Sequence, residues 1–110
     1  MYRWATGYGG EGGVSPATLA AFAQAQVAGY DLVLDQRYRS HGIVFQKPTP
    51  VMPFGSYRAF GHDGAGGAMA FADPVGGICL GYTVRRTPFP GGMDRRLVDV
   101  VAAVQRVARA

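Results

Sequence analysis

Phe60-Gly61-His62-Asp63-Gly64-Ala65-Gly66-Gly67 is the stretch of this 110-residue sequence best equipped for chemistry. It sets one imidazole among glycines, on backbone that no bulky neighbour shields. Backbone of that kind lets a substrate carbonyl come close to a main-chain N–H, and acyl transfer needs such a donor to hold a developing oxyanion. Imidazole is the side chain best suited to take up or give a proton in such chemistry. The plainer reading of the same residue is a solvent-facing histidine at the end of a strand.

Other groupings are weaker. Ser40-His41 sets a hydroxyl beside a base, but neighbouring strand residues project to opposite faces, so the two side chains diverge. Ser56, His62 and Asp63 supply the residue types of a triad without the Gly-x-Ser-x-Gly elbow that usually presents the serine. The glycines at 61, 64, 66 and 67 have a phosphate-loop look, yet no Lys-Ser/Thr follows and no helix start is adjacent. No nucleotide is therefore expected. His41, His62 and the few carboxylates lack metal-ligand spacing, so neither a metal nor a cofactor is expected. Cys79 lies in an apolar run without a basic neighbour, as a buried structural thiol does.

The elements that must carry His62 are strands. Tyr57–His62, Gly67–Ala72 and Gly77–Val84 are each strand-like, and Asp73-Pro74-Val75-Gly76-Gly77 has the residues of a tight turn between the last two. Large residues (Met69, Phe71, Ile78, Leu80, Tyr82, Val84) alternate with small ones (Ala68, Ala70, Ala72, Cys79, Gly81, Thr83). This predicts one bulky face and one face that a helix can approach closely. The expected helix follows Gly91-Gly92. Asp94 is its N-cap, Leu97, Val101, Val104 and Ala108 form its stripe, and Arg106 and Arg109 lie in its last turn. A second helix is predicted over Ala17–Ala28, capped by Ser15 with Pro16 at its first position and stopped by Gly29. Gly42–Gln46 reads as a short strand, and Lys47-Pro48-Thr49-Pro50-Val51-Met52-Pro53 as an extended linker. The segment Tyr30–Arg39 fits a strand or a connector. The fold class is α+β: an antiparallel sheet of at least three C-terminal strands, packed by a C-terminal helix and a helix from the N-terminal half. Residues 1–14 are expected to be an irregular N-terminal segment, with residues 15–110 forming one structural unit.

Composition narrows the function classes. The chain is 48% hydrophobic and only 16% charged, with 17 glycines; an average domain is about 25% charged. Its net charge of +4 comes almost wholly from dispersed arginines without an aromatic-interleaved stripe, so nucleic acid is not the expected partner. No apolar run reaches the ~18 residues of a membrane span. One cysteine and no secretory leader point to a reducing, cytoplasmic setting.

Three motifs in order carry a family resemblance. Phe60 to Gly67 fits Phe-Gly-His-x-Gly-Ala-Gly-Gly, Ala68 to Pro74 fits (Ser/Ala)-x-x-Phe-Ala-Asp-Pro, and Gly81-Tyr82 follows on the next strand; Ser15-Pro16-x-Thr18-Leu19 adds a helix start. Together they resemble the C-terminal part of the serine β-lactamase and penicillin-binding-protein-like family, nearest its esterase-type branch. The resemblance covers roughly the last nine-tenths of the chain. It implies a partial β-lactamase/transpeptidase-like fold over residues 15–110. By this resemblance His62-Asp63-Gly64 stands where Lys-Thr-Gly stands in β-lactamases. His62 would then orient substrate, Gly64 would admit it, and the Ala65 N–H would form half of an oxyanion hole. Histidine in place of lysine also occurs in some esterases and peptidases of the family. Were Asp63 to face the cleft, it would repel anionic substrates and favour neutral esters.

The family's nucleophile motif, Ser-x-x-Lys, is absent: Thr18, Ile43 and Ala59 stand three residues after Ser15, Ser40 and Ser56. Tyr-x-Asn cannot occur, because the sequence has no asparagine. Tyr38-Arg39-Ser40 mimics a variant of it but lies too close to His62. The expectation is a C-terminal fragment of a β-lactamase-related serine hydrolase, inactive alone, that acts on a small ester or amide only when an upstream segment completes it. Two rivals are a non-catalytic module that pairs through its exposed sheet, with homo-oligomers as one form, and a small hydrolase using Ser40 or Ser56.

Overall fold

Ser15 opens the first helix as expected: its Oγ accepts the Thr18 N–H at 3.1 Å, and Pro16 follows at the first helical position. The computed structural model describes residues 15–33, 36–89 and 91–109; the irregular segment expected over residues 1–14 lies outside the described residues. Helix α1 spans Pro16–Phe22, far shorter than the Ala17–Ala28 predicted. Its end is set from a distance. The Lys47 ammonium donates to the carbonyl of the C-cap residue Ala23, a cation where the helix dipole favours one. Gln26 N–H then bonds the His41 carbonyl at 2.8 Å and draws the following residues into a sheet.

Strands β1 (Val27–Asp31) and β2 (Gln36–His41) form an antiparallel ladder with a register shift between Gly29 and Asp31. The ambiguous segment is therefore a hairpin. The strand expected at Gly42–Gln46 is instead a turn closed by Gly42 N–H to the Phe45 carbonyl at 2.7 Å. Ile43 and Val44 are exposed within it, so their β-propensity yields to the chain reversal. Gln46 bridges both His41 and Gly61, linking the hairpin to the second ladder.

That ladder is the expected one, in the order β3 (Phe60–Asp63), β4 (Met69–Asp73), β5 (Ile78–Tyr82), all antiparallel. Cross-strand partners Met69–Tyr82 and Phe71–Leu80 confirm that the large residues share a face. Helix α2 (Arg96–Arg109) packs on that bulky face, not on the small one. Leu97 and Val101 sit with Met69, Phe71, Ile78, Met52 and Phe54 in the main core. The reason is area: each large apolar side chain removed from water contributes about 1.5–3 kcal/mol, and β4 and β5 present only Ala, Cys and Gly on the small face. Asp94 caps α2 as expected, taking the Arg96 N–H on Oδ1 at 2.8 Å. The Arg96 hydrogen bonds hold the Asp94 carboxyl below its ordinary range. A smaller cluster of Ala23, Phe60 and Ala72, with Leu19 and Phe45 against it, covers one end of the small face. At the other end Ala70 is half-buried, and Ala68 and Gly81 are exposed; Cys79, paired with Ala72, is exposed as well.

Candidate functional site

His62 lies on this open end. It pairs across the ladder with Ala70, which pairs in turn with Gly81, and its side chain is exposed. Its Nδ1 lies 2.5 Å from the Asp63 carbonyl oxygen. Its cross-strand neighbours on this face, Ala70 and Gly81, are small and uncharged.

The β3–β4 turn follows directly. Gly64 N–H bonds the Ala68 carbonyl at 2.9 Å and Gly67 N–H bonds the Gly64 carbonyl at 3.0 Å. A Cβ placed on Gly64 or Gly66 would meet nothing within 4 Å, whereas one on Gly67 would lie 2.5 Å from Pro88 Cδ. The turn thus has an open outer surface and a packed inner one. On the open part the Ala65 N–H makes no hydrogen bond among the described residues, which leaves it able to donate to an incoming oxygen. Gly61, expected to give the imidazole steric access, serves the sheet instead: a Cβ there would lie 2.2 Å from the Ala70 carbonyl oxygen.

Asp63 does not face the cleft. Strand alternation turns it to the opposite face from His62, where it is buried. Its Oδ1 lies 3.5 Å from Arg39 Nη2, its Oδ2 accepts the Met93 N–H at 2.7 Å, and its own N–H donates to Gln46 Oε1 at 3.0 Å. Contrary to expectation, Asp63 is therefore not placed to repel an anionic substrate.

The serine candidates are not assembled either. Ser56 Oγ donates to Asp73 Oδ1 at 2.6 Å and its N–H to Asp73 Oδ2 at 2.8 Å. Asp73 lies three residues along β4 from the partner of His62, about 10 Å at the strand rise. Ser56, His62 and Asp63 thus point three ways. Ser40 is buried on β2 beside half-buried His41, with successive side chains on opposite faces. Cys79, expected to be buried, is exposed on the small face. Among the described residues no group of three or more His, Cys, Asp or Glu could hold a metal ion, and no helix is long and apolar enough to cross a membrane.

Sequence reasoning passed over Lys47, the single lysine. It is buried, and its ammonium donates to the carbonyls of Ala23, Tyr57 and Ala59. Burial pushes it down from 10.5 to about 8, against the opposing charge of Asp73. A lone lysine inside a proline-rich apolar linker was the available signal, but its three acceptors come from distant segments.

This is an α+β unit in which the strand carrying an exposed imidazole leads into a glycine turn with one unbonded main-chain N–H among the described residues. The described serines do not add a nucleophile to it. A solved structure of EstA from Arthrobacter nitroguajacolicus Rue61a contains the same arrangement of chain: TM-score 0.76, with 40% identity over 87% of this sequence. The chain spans about a quarter of the length of EstA, 25%. No family model matches the sequence, and no curated protein does.

Proposed function

We propose that this chain is the C-terminal part of a β-lactamase-related serine hydrolase of the esterase type, and that it contributes the substrate-orienting and oxyanion-side half of an ester-cleaving cleft. The observation that carries the reading is the 40% identity to EstA, whose name is that of an esterase, over nearly all of this chain. In this role His62 orients the substrate, Gly64 leaves room for its carbonyl, and the Ala65 N–H donates to the oxyanion. With neither Ser-x-x-Lys nor Tyr-x-Asn, the chain alone turns over no ester. Its substrate is a small ester or amide, reached only in a completed cleft.

A chimera tests this: residues 15–110 replace the matching quarter of EstA, and p-nitrophenyl acetate hydrolysis is measured. The chimera hydrolyses the ester, and Ala65→Pro, which deletes the one N–H, lowers kcat by about 10²–10³. A folded chimera without activity, or one indifferent to Ala65→Pro, overturns the reading. A second reading, a non-catalytic module that pairs through its sheet, draws on the exposed small face and on exposed Leu32, Val33 and Tyr57.

A further inference from the structure

We infer that Asp63 and Gln46 are positioning residues that hold His62 in the tautomer with its proton on Nδ1, leaving Nε2 as the ring's acceptor. The catalytic use of that acceptor rests on the hydrolase reading; the tautomer does not.

The phase of the ladder sets where the Asp63 carbonyl points. In an antiparallel pair, alternate residues of a strand direct both main-chain groups at one neighbour and then away from it. Gly61 uses both of its groups on Gln46: its N–H donates to the Gln46 carbonyl at 3.1 Å, and its carbonyl accepts the Gln46 N–H at 2.8 Å. Asp63, two residues on, shares that phase, so its main-chain groups also point away from β4. Its N–H reaches the Gln46 side chain, Oε1, at 3.0 Å. Its carbonyl is then left on the same edge, where it meets His62 Nδ1 at 2.5 Å.

Nothing about Asp63 is free to swing. Its carboxylate is fixed by the Met93 N–H at 2.7 Å and by Arg39 Nη2 at 3.5 Å, and its N–H by Gln46. A carbonyl oxygen has only lone pairs, so the proton between it and the ring belongs to Nδ1. Which imidazole nitrogen carries the proton is set by the bond the other one makes. Nε2 has no partner among the described residues. The exposed ring is thus a directed acceptor, suited to a hydroxyl or amide donor of the substrate or of the completed cleft. Asp63 touches neither; it acts through the ring.

The test is a two-bond 1H–15N correlation spectrum of the labelled chain at about pH 9, where an ordinary imidazole is neutral, with the His41→Gln variant assigning the signals. His62 shows a protonated Nδ1 and an unprotonated Nε2. Gln46→Met and Asp63→Asn each shift the tautomer ratio toward Nε2–H by about fivefold, the factor set by one ordinary net hydrogen bond. A protonated Nε2 in the unaltered chain overturns the inference, as does an unchanged ratio in Gln46→Met with a folded amide spectrum. Should Asp63→Asn fail to fold, those two measurements decide alone. An inactive EstA chimera removes the hydrolase reading and leaves this result standing; an Nε2–H signal does the reverse.

Discussion

At the scale of single residues, adjacent positions on one strand have been given opposite duties. His62 faces outward on a small, uncharged surface, while Asp63 points into the protein and ties β3 to β2 and to the loop before α2. Lys47 has a structural duty of its own, joining the end of α1 to the 57–59 turn. Its ammonium titrates at about 8 in the folded chain and at 10.5 once unfolded, with burial as the main cause. Below about 8 both states carry the proton and the cost of burying it is fully present. Between about 8 and 10.5 the unfolded chain holds a proton that the folded chain has shed, so stability rises with pH across that window. The full rise attributable to Lys47 is at most about 3.4 kcal/mol, and solvent that screens the ammonium lowers it. Lys47→Met removes this slope and, below pH 8, costs about 1–3 kcal/mol by orphaning three carbonyls. Urea midpoints of both proteins at the two ends of the window check both effects; equal slopes would show that Lys47 does not titrate in it.

At the scale of elements, the β3–β4 turn shows how one short loop reconciles access with order. Gly67 holds φ at +95°, and a Cβ there would collide with Pro88 and Val84. Gly67→Ala therefore lowers stability by at least about 1 kcal/mol, from backbone strain and the displaced proline together. Gly64→Ala meets open space and leaves thermal stability within about 0.5 kcal/mol. Differential scanning calorimetry of the pair distinguishes the packed side of the turn from the open one. A loss at Gly64 equal to that at Gly67 would mean that the turn has no open side. Helix α1 carries the complementary lesson. Its cap was legible in Ser15-Pro16, but its stop comes from a lysine 24 residues downstream of the Ala23 carbonyl it caps.

At the scale of the whole molecule, apolar surface is left wet. Leu32 and Val33 at the β1–β2 turn are 87% and 92% exposed, and Tyr57 and Phe89 are also bare. Large apolar side chains left this bare suit a surface that other protein covers. The isolated chain therefore associates as its concentration rises, and light scattering reports a mass above 11.7 kDa. The double substitution Leu32→Lys and Val33→Lys, which leaves the buried core intact, shifts the mass toward the monomer. A chain that stays monomeric throughout would remove the pairing reading and leave the hydrolase-fragment reading untouched.

By itself the sequence determined the α+β class, the three antiparallel strands, the capped terminal helix and the glycine turn beside His62. These are written in local terms: period-2 alternation from Met69 to Val84, the Asp73-Pro74 turn, the stripe from Leu97 to Val104. Only the tertiary structure decided where α1 stops, that Gly42–Phe45 turns back, which face receives α2, and that Asp63 turns away from His62 to meet Arg39 and Met93. Each of those outcomes depends on contacts between residues far apart in the chain. Local propensity is worth tenths of a kcal/mol per residue, and a buried cation or a packed aromatic face outweighs it.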